Sequence, residues 1–379
     1  KLVDKIILVG AFECGPESIV ESYIEKEAQS QGIPLMVLSM DEHSGEAGLV
    51  TRLEAFMDTE KTSGSEQKST LPSPTRPSSK EMVLGFPSMG RLDEVVRTFI
   101  ESFGIKSIPT PRTTQMCVEL GREIAPEFVC FPFTATLGQM RYMLEHGANT
   151  LLMVGGKGYC RLGWYAQVQE QLLRNLGYDF ELLVVDSPFP FRDKWSNFNR
   201  MIKQATGDAP WPRILAGLYS AYHRLATMDR IDTEVHRLRA FERNQGTVDK
   251  LASSYLRKLA KATEVRTIRQ LERSFIEEAA AIETEDTQPL RIRIAGEIWV
   301  VLEQSATRNV ERWLGSQKRP RVWVERELST SSWFQANVLR LPSARRREHE
   351  IALAAKPWLS QMVGGHGQAT IGQVALAPP

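Results

Sequence analysis

The chain has 379 residues, a formal net charge of +1 and 42% hydrophobic residues, enough for about two globular domains and with no charge excess of the kind nucleic acid selects. No apolar run reaches the roughly 18 residues a membrane helix needs, and the N-terminal KLVDKIILVGAFECGPES lacks a secretory cleavage pattern, so the expectation is a soluble, cytoplasmic protein.

In chain order, the strands KIILVGA and IPLMVLSM alternate with helical patterns over 18–31 and 46–58. A Ser/Thr/Pro/Lys-rich stretch over 61–80 follows; it has too little apolar content to bury a core and reads as a flexible linker. From Glu81 strand-like and helix-like runs alternate: MVLGFP, LDEVVRTFIESFG, IKSIPTP, TTQMCVELGREI, FVCFPF, LGQMRYMLEHG, TLLMVGG, YAQVQEQLLRNLG and FELLVVD. Such βαβα patterning calls for a parallel sheet covered by helices, which places a first α/β lobe at 81–194. Residues 195–289 carry no comparable strand, and Leu251, Tyr255, Leu259 and Ala262 recur at helical spacing, so this stretch reads as a helical insertion or cap. Strand patterning resumes with LRIRIAGEIWVV, then a helix near 309–314, the strand RVWVE and a mostly helical end closing on GGHGQATIGQVALA. Two strands are too few for a parallel domain, and residues 1–60 have the same deficiency. The two chain ends together supply four, so 290–379 plus 1–60 is expected to form a second α/β lobe, since the termini of a domain often lie close together.

Three of the four cysteines follow strand-like runs inside Gly/Pro-rich turns: Cys14 after KIILVGAFE, Cys130 after EFV and Cys160 after TLLMVGGKGY. In open α/β sheets ligands bind outside the carboxyl ends of the strands, so thiols delivered there from distant segments can converge on one centre. The plainer reading of Cys130 and Cys160 is a small buried residue near a strand end, free cysteine being among the most buried types. Cys117, in TTQMCVELGREI, shares helical spacing with Leu120 and Ile124 and belongs to the core. No CxxC pair or His-x3-His spacing offers an ordinary zinc site, and the cysteine density is far below that of a disulfide scaffold. No P-loop and no complete GxGxxG follow a strand, which argues against ATP hydrolysis by this chain itself.

The run CFPFTATLGQMRYMLEHGANTLLMVGGKGYCRLGWYAQVQEQLLRNLGY, preceded by GFPSMGR and TTQMCVELGREIAPEFV, resembles the CoA-protein-activase group, which is related to the D-component of the 2-hydroxyacyl-CoA dehydratases and to double-cubane cluster reductases. LRIRIAGEIWVVLE and the terminal GGHG resemble the later part of the same proteins. The block AFECGPESIVESYIEKEAQSQGIPLMVLSMDEHSGEAGLVTRLEAFMD closes the sequence in that family but opens this chain, so the order looks circularly permuted, the alternative being the tail of one module fused to the head of the next; the complementary strand counts favour permutation. The resemblance implies an α/β fold of two Rossmann-like or flavodoxin-like parallel-sheet lobes facing a cleft, with the helical insertion between them. It also implies one oxygen-sensitive [4Fe-4S] cluster on three cysteines, with one iron open to substrate or a small ligand. Matched residue by residue, the cysteines are Cys14, Cys130 and Cys160, the trio that the strand ends also select.

Further partners implied by the resemblance are a separate activator ATPase carrying its own iron–sulfur cluster, a sister dehydratase-like subunit and an acyl-CoA substrate. A catalytic chain of this kind would be a dehydratase-like lyase or a low-potential reductase. Alternatives are a non-catalytic scaffold or accessory subunit that docks to the activator or the sister subunit, and a metal-free α/β enzyme with a CoA or sugar-nucleotide ligand. Around Cys160, Gly155, Gly156 and Gly158 would let backbone N–H groups approach a cluster or anion; an ordinary strand-to-helix turn needs the same residue type. Arg161 could pair with a CoA phosphate or an acid substrate, and His366 in its Gly-rich turn could line the cleft or bind an anion. Asp41, Glu42 and His43 could move protons, although Asp41 and Ser44 are also good helix caps. The run of Arg345, Arg346 and Arg347 reads as a solvated helix face.

Overall fold

The computed structural model describes residues 5–11, 28, 32–40, 46–58, 81–126, 129–155, 161–186, 191–326, 328–359 and 367–376. The chain is a mixed α/β protein with parallel sheets. Near the N-terminus, β1 (Ile6–Ala11) and β2 (Leu35–Met40) pair in parallel over their full length, from Ile6 opposite Leu35 to Ala11 opposite Met40. Helix α1 (Glu46–Asp58) follows, and Lys5 Nζ donates to the carbonyls of Phe56 and Met57, a cation satisfying the last turn of a helix.

The alternating run after Glu81 forms a four-stranded parallel sheet, although FVCFPF, read as strand-like, instead enters a helix at Phe131. The strands of the sheet are β3 (Val83–Gly85), β4 (Lys106–Ser107), β5 (Thr150–Val154) and β6 (Glu181–Val185), in the order β4-β3-β5-β6. Burial explains the order: four of the five residues of β5 are buried, as a strand covered on both faces requires, while β6 is an edge and exposes Glu181. Pro109 and Pro111 lack the N–H groups a ladder needs, which cuts the IKSIPTP run to the two residues of β4. The helices are α2 (Leu92–Glu101), α3 (Gln115–Arg122), α4 (Phe131–Glu145) and α5 (Tyr165–Asn175). Helix α2 buries Leu92, Val95 and Phe99 at helical spacing. Helix α4 is buried over most of its length and crosses α3 at glycines: a Cβ on Gly138 would lie 1.7 Å from Cys117 O, and one on Gly121 2.0 Å from Thr134 O. Cys117 is fully buried, as its place on an apolar helix face predicts.

After β6 the chain is helical through α6 (Phe191–Ala205), α7 (Trp211–Phe241), α8 (Thr247–Leu259) and α9 (Val265–Ala280). Tyr255, Leu259 and Ala262 are buried and Leu251 is half-buried against them. This helical stretch does not stand apart from the sheet. One apolar cluster runs from Leu84 and Phe99 through Met228 and Leu259 to Trp299 and Leu302.

The C-terminal region contains β7 (Leu290–Ile294), α10 (Ile298–Leu302), α11 (Val310–Gly315), β8 (Val322–Arg326), α12 (Thr330–Asn337), α13 (Pro342–Ala355) and α14 (Gly367–Ala375). The apolar run LRIRIAGEIWVV is therefore not one strand. Glu297 takes an extended backbone and its carboxylate accepts the Val300 N–H at 2.9 Å, an N-cap that starts a helix four residues after the strand begins to end. Strands β7 and β8 pair in parallel with each other, and β1 and β2 with each other, as two separate two-stranded sheets. Among the described residues no helix is long and apolar enough to cross a membrane.

Candidate functional site

With β3 as the first strand of its unit, the chain moves outward to β4 and then crosses back to β5, so the connections diverge between β3 and β5. A crevice beyond the carboxyl ends of the strands at such a point is where open α/β sheets bind ligands. Three segments build it here: the Phe86–Arg91 turn after β3, the residues between β4 and α3, and the N-termini of α4 and α5.

Gln139 of α4 ties the first two together. It has no exposed surface; its Oε1 accepts the Ser88 N–H at 3.0 Å, and its Nε2 donates to Ser88 Oγ, Pro111 O and Thr113 Oγ1 at 2.8, 2.9 and 3.1 Å. Trp299 of α10 then donates its indole N–H to Ser88 O at 2.8 Å and sets its ring edge against Phe131, 5.7 Å between centroids. The turn after β3 is thus held from both sides by buried polar groups that have their partners.

Cys130 is the N-cap of α4, with an extended backbone and Pro132 in the first turn, where a missing N–H costs nothing. Helix α4 runs back against the strands, so this end lies on the carboxyl side of the sheet. The thiol makes no capping bond and is partly exposed; it meets the hydroxyl of Tyr165, the first residue of α5. Tyr165 is buried, its ring edge-on to Phe133 at 5.1 Å and 88°. Two helix N-termini, one after Cys130 and one after the Arg161–Trp164 turn, therefore meet at a cysteine–tyrosine contact.

Of the other residues singled out from the sequence, Cys14, Cys160, Gly156, Gly158, His366, Asp41, Glu42, His43 and Ser44 lie outside the described residues, as does the Arg161 side chain. Gly155 continues the β5–β6 ladder, its N–H donating to Val185 O at 2.8 Å, and a Cβ there would lie 2.4 Å from Val184 Cγ1. Close strand approach is sufficient reason for this glycine. Arg345, Arg346 and Arg347 are exposed on α13, and Arg347 pairs with Glu350 on the same helix, in keeping with a solvated face.

The sequence reading missed a second feature, a cleft of about 630 Å³ between α2, α7, α8 and the residues following α10. Arg91 grips Asp232 with two bonds of 3.0 Å. Burial opposes both charges, but their mutual attraction wins and holds Asp232 below, and Arg91 above, its ordinary range. His236 Nε2 lies 3.3 Å from Glu311, which Arg326 also holds at 3.1 Å; burial alone would raise this carboxyl, yet the two partners keep it low. Asp249 takes Arg239 at 2.7 Å and Arg312 at 3.5 Å. Glu303, only 6% exposed, differs: burial pushes it up against hydrogen bonds from Ser88, the Gly90 N–H and Ser305, and its Oε2 has no partner among the described residues. Desolvation, with Glu94 and Glu303 nearby, also raises Asp93 to about 7. The available signal was in α7, where MDRIDTEVH sets Asp229, Asp232 and His236 at helical spacing on positions that should be apolar; buried polar residues at that period mark a network. No protein-family model, curated protein or solved structure matches this chain.

Proposed function

We propose that this chain is the iron–sulfur component of an ATP-activated, low-potential electron-transfer system resembling the 2-hydroxyacyl-CoA dehydratases, with one [4Fe-4S] cluster on Cys14, Cys130 and Cys160. The observation that carries the reading is the position of Cys130: a partly exposed thiol, unused in capping, at a helix N-terminus on the carboxyl side of a parallel sheet. Cysteine thiolate is the usual donor to such clusters, and Cys160 directly precedes in sequence the turn that leads to Tyr165. The donor type suits the group, and of the three cysteines Cys130 is the one that lies within the described residues.

In this reading the sheet of β3 to β6 belongs to one lobe and 290–379 with 1–60 to the other, although β7–β8 and β1–β2 pair as separate two-stranded sheets. When bound, the cluster supplies one-electron chemistry at low potential and an iron open to a ligand. The chain's own residues do the rest. Tyr165 Oη meets the Cys130 sulfur and would donate to it as a thiolate ligand, the kind of contact that tunes a sulfur donor. Phe131, next to Cys130, is exposed and sets its ring edge-on to the buried Trp299, placing apolar surface beside this corner. Gln139 and Ser88 hold the neighbouring turn rigid.

The test is iron and acid-labile sulfide content, with EPR after dithionite reduction, on anaerobically purified wild type and Cys130→Ser. About four irons and four sulfides per wild-type chain, with loss in the variant while circular dichroism is unchanged, support the proposal. Well-folded wild-type protein that stays metal-free after anaerobic reconstitution refutes it.

A further inference from the structure

The cleft beside α2 is lined by six arginines, three of which are accounted for: Arg91 by Asp232, and Arg239 and Arg312 by Asp249. The other three, Arg97, Arg112 and Arg257, have no carboxylate partner among the described residues. They come from separate elements: Arg97 from α2, Arg112 from the segment between β4 and α3, and Arg257 from the last turn of α8. A tetrahedral phosphate presents oxygens in several directions and can accept from several arginines at once, which suits guanidinium groups that carry no carboxylate of their own. Deeper in the same cleft, the Glu303 carboxylate carries a buried oxygen without a partner. Leaving such a group unsatisfied is costly, and a hydroxyl, which both donates and accepts, can satisfy it in either protonation state. The cleft volume of about 630 Å³ is that of a small-molecule site.

We propose that this cleft binds a phosphate ester with neighbouring hydroxyl groups, a sugar phosphate or a nucleotide, the phosphate held by Arg97, Arg112 and Arg257 and a hydroxyl by Glu303. This assignment is independent of whether the Cys130 corner carries a cluster. It requires no covalent step.

The experiment is isothermal titration calorimetry of the full chain with pyrophosphate, ribose 5-phosphate and AMP, at low and moderate salt, on wild type, Arg97→Gln/Arg112→Gln/Arg257→Gln and Glu303→Gln. Circular dichroism checks folding, and Arg345→Gln/Arg346→Gln/Arg347→Gln on α13 serves as a control for general basic charge. The expected result is saturable binding of ribose 5-phosphate or AMP, weakened at least about tenfold in the cleft triple variant and unchanged in the α13 control. Glu303→Gln should weaken the two hydroxyl-bearing probes by about tenfold while leaving pyrophosphate unaffected. Tighter binding of AMP than ribose 5-phosphate identifies a nucleotide site, and the reverse a sugar-phosphate site. No binding of any probe at millimolar concentration, or equal loss in the α13 control, overturns the proposal. Glu303→Gln acting equally on pyrophosphate overturns the hydroxyl assignment.

Discussion

The crossing of α3 and α4 under the Cys130 corner gives a sharp test of the fold through Gly138→Ala. An ideal Cβ at Gly138 lies 1.7 Å from Cys117 O and 2.8 Å from its carbonyl carbon, and real Cβ atoms do not come within 3.0 Å of such neighbours. Both contacts are backbone, so no rotamer change relieves them, and the helices must move apart by roughly 1.3 Å, the difference between the two limits. Separation loosens Phe133, Leu137 and Met140, which are fully buried on α4. Alanine in mid-helix gains about 1 kcal/mol in propensity over glycine, while overpacking a tight interior costs about 1–3 kcal/mol and more where backbone must yield. We expect a net loss of about 2 kcal/mol, read as a fall of several degrees in the thermal midpoint by tryptophan fluorescence. Gly217→Ala in α7 is the internal comparison, because its nearest neighbour, at 2.9 Å, is the Phe99 ring edge, a side chain that can shift. It should be milder. A Gly138→Ala protein as stable as wild type, or less perturbed than Gly217→Ala, would refute the crossing.

Two further outcomes follow from buried charge. Asp93 has a folded-state value of about 7 against an ordinary 3.8, so the folded state retains a proton that the unfolded chain releases. Its contribution to stability is complete below pH 3.8 and is lost as pH rises through about 7. Denaturant melts of wild type should therefore lose stability across that window relative to Asp93→Asn, and parallel pH profiles would contradict the assignment. Arg224, 2% exposed, has neither Nε nor Nη1 hydrogen-bonded among the described residues, and burial lowers its value to about 10. Arg224→Met keeps an unbranched side chain and removes the desolvated charge, so it should stabilise the protein by about 1–3 kcal/mol in the same melts; a destabilised variant would mean that the guanidinium is satisfied.

Much of the architecture was legible because it rests on local periodicity. The alternation after Glu81 became a parallel sheet with its helices, and Leu251 to Leu259 became helix, because a buried strand and an amphipathic helix each write their period into the chain. LRIRIAGEIWVV defeated that reasoning: its apolar residues suit either element, and the Glu297 cap, which decides, acts through one hydrogen bond. Among the site residues, Cys130 was expected in a turn after a strand, but FVCFPF enters a helix at Phe131 and Cys130 is its N-cap, because a short apolar run suits either element. The contact of Cys130 with Tyr165 was not legible, because 35 residues separate the two.

By itself, then, the sequence determined the class of fold and the burial of Cys117, both matters of short-range spacing. The tertiary structure alone decided the strand order β4-β3-β5-β6, the hold of Trp299 on Ser88 from 211 residues away, and the placing of Arg97, Arg112, Arg257 and Glu303 along one cleft. Strand order depends on which faces must be covered, and a charged cleft depends on which helices meet. Both are set by the packing of surfaces far apart in the chain, and neither leaves a period in it.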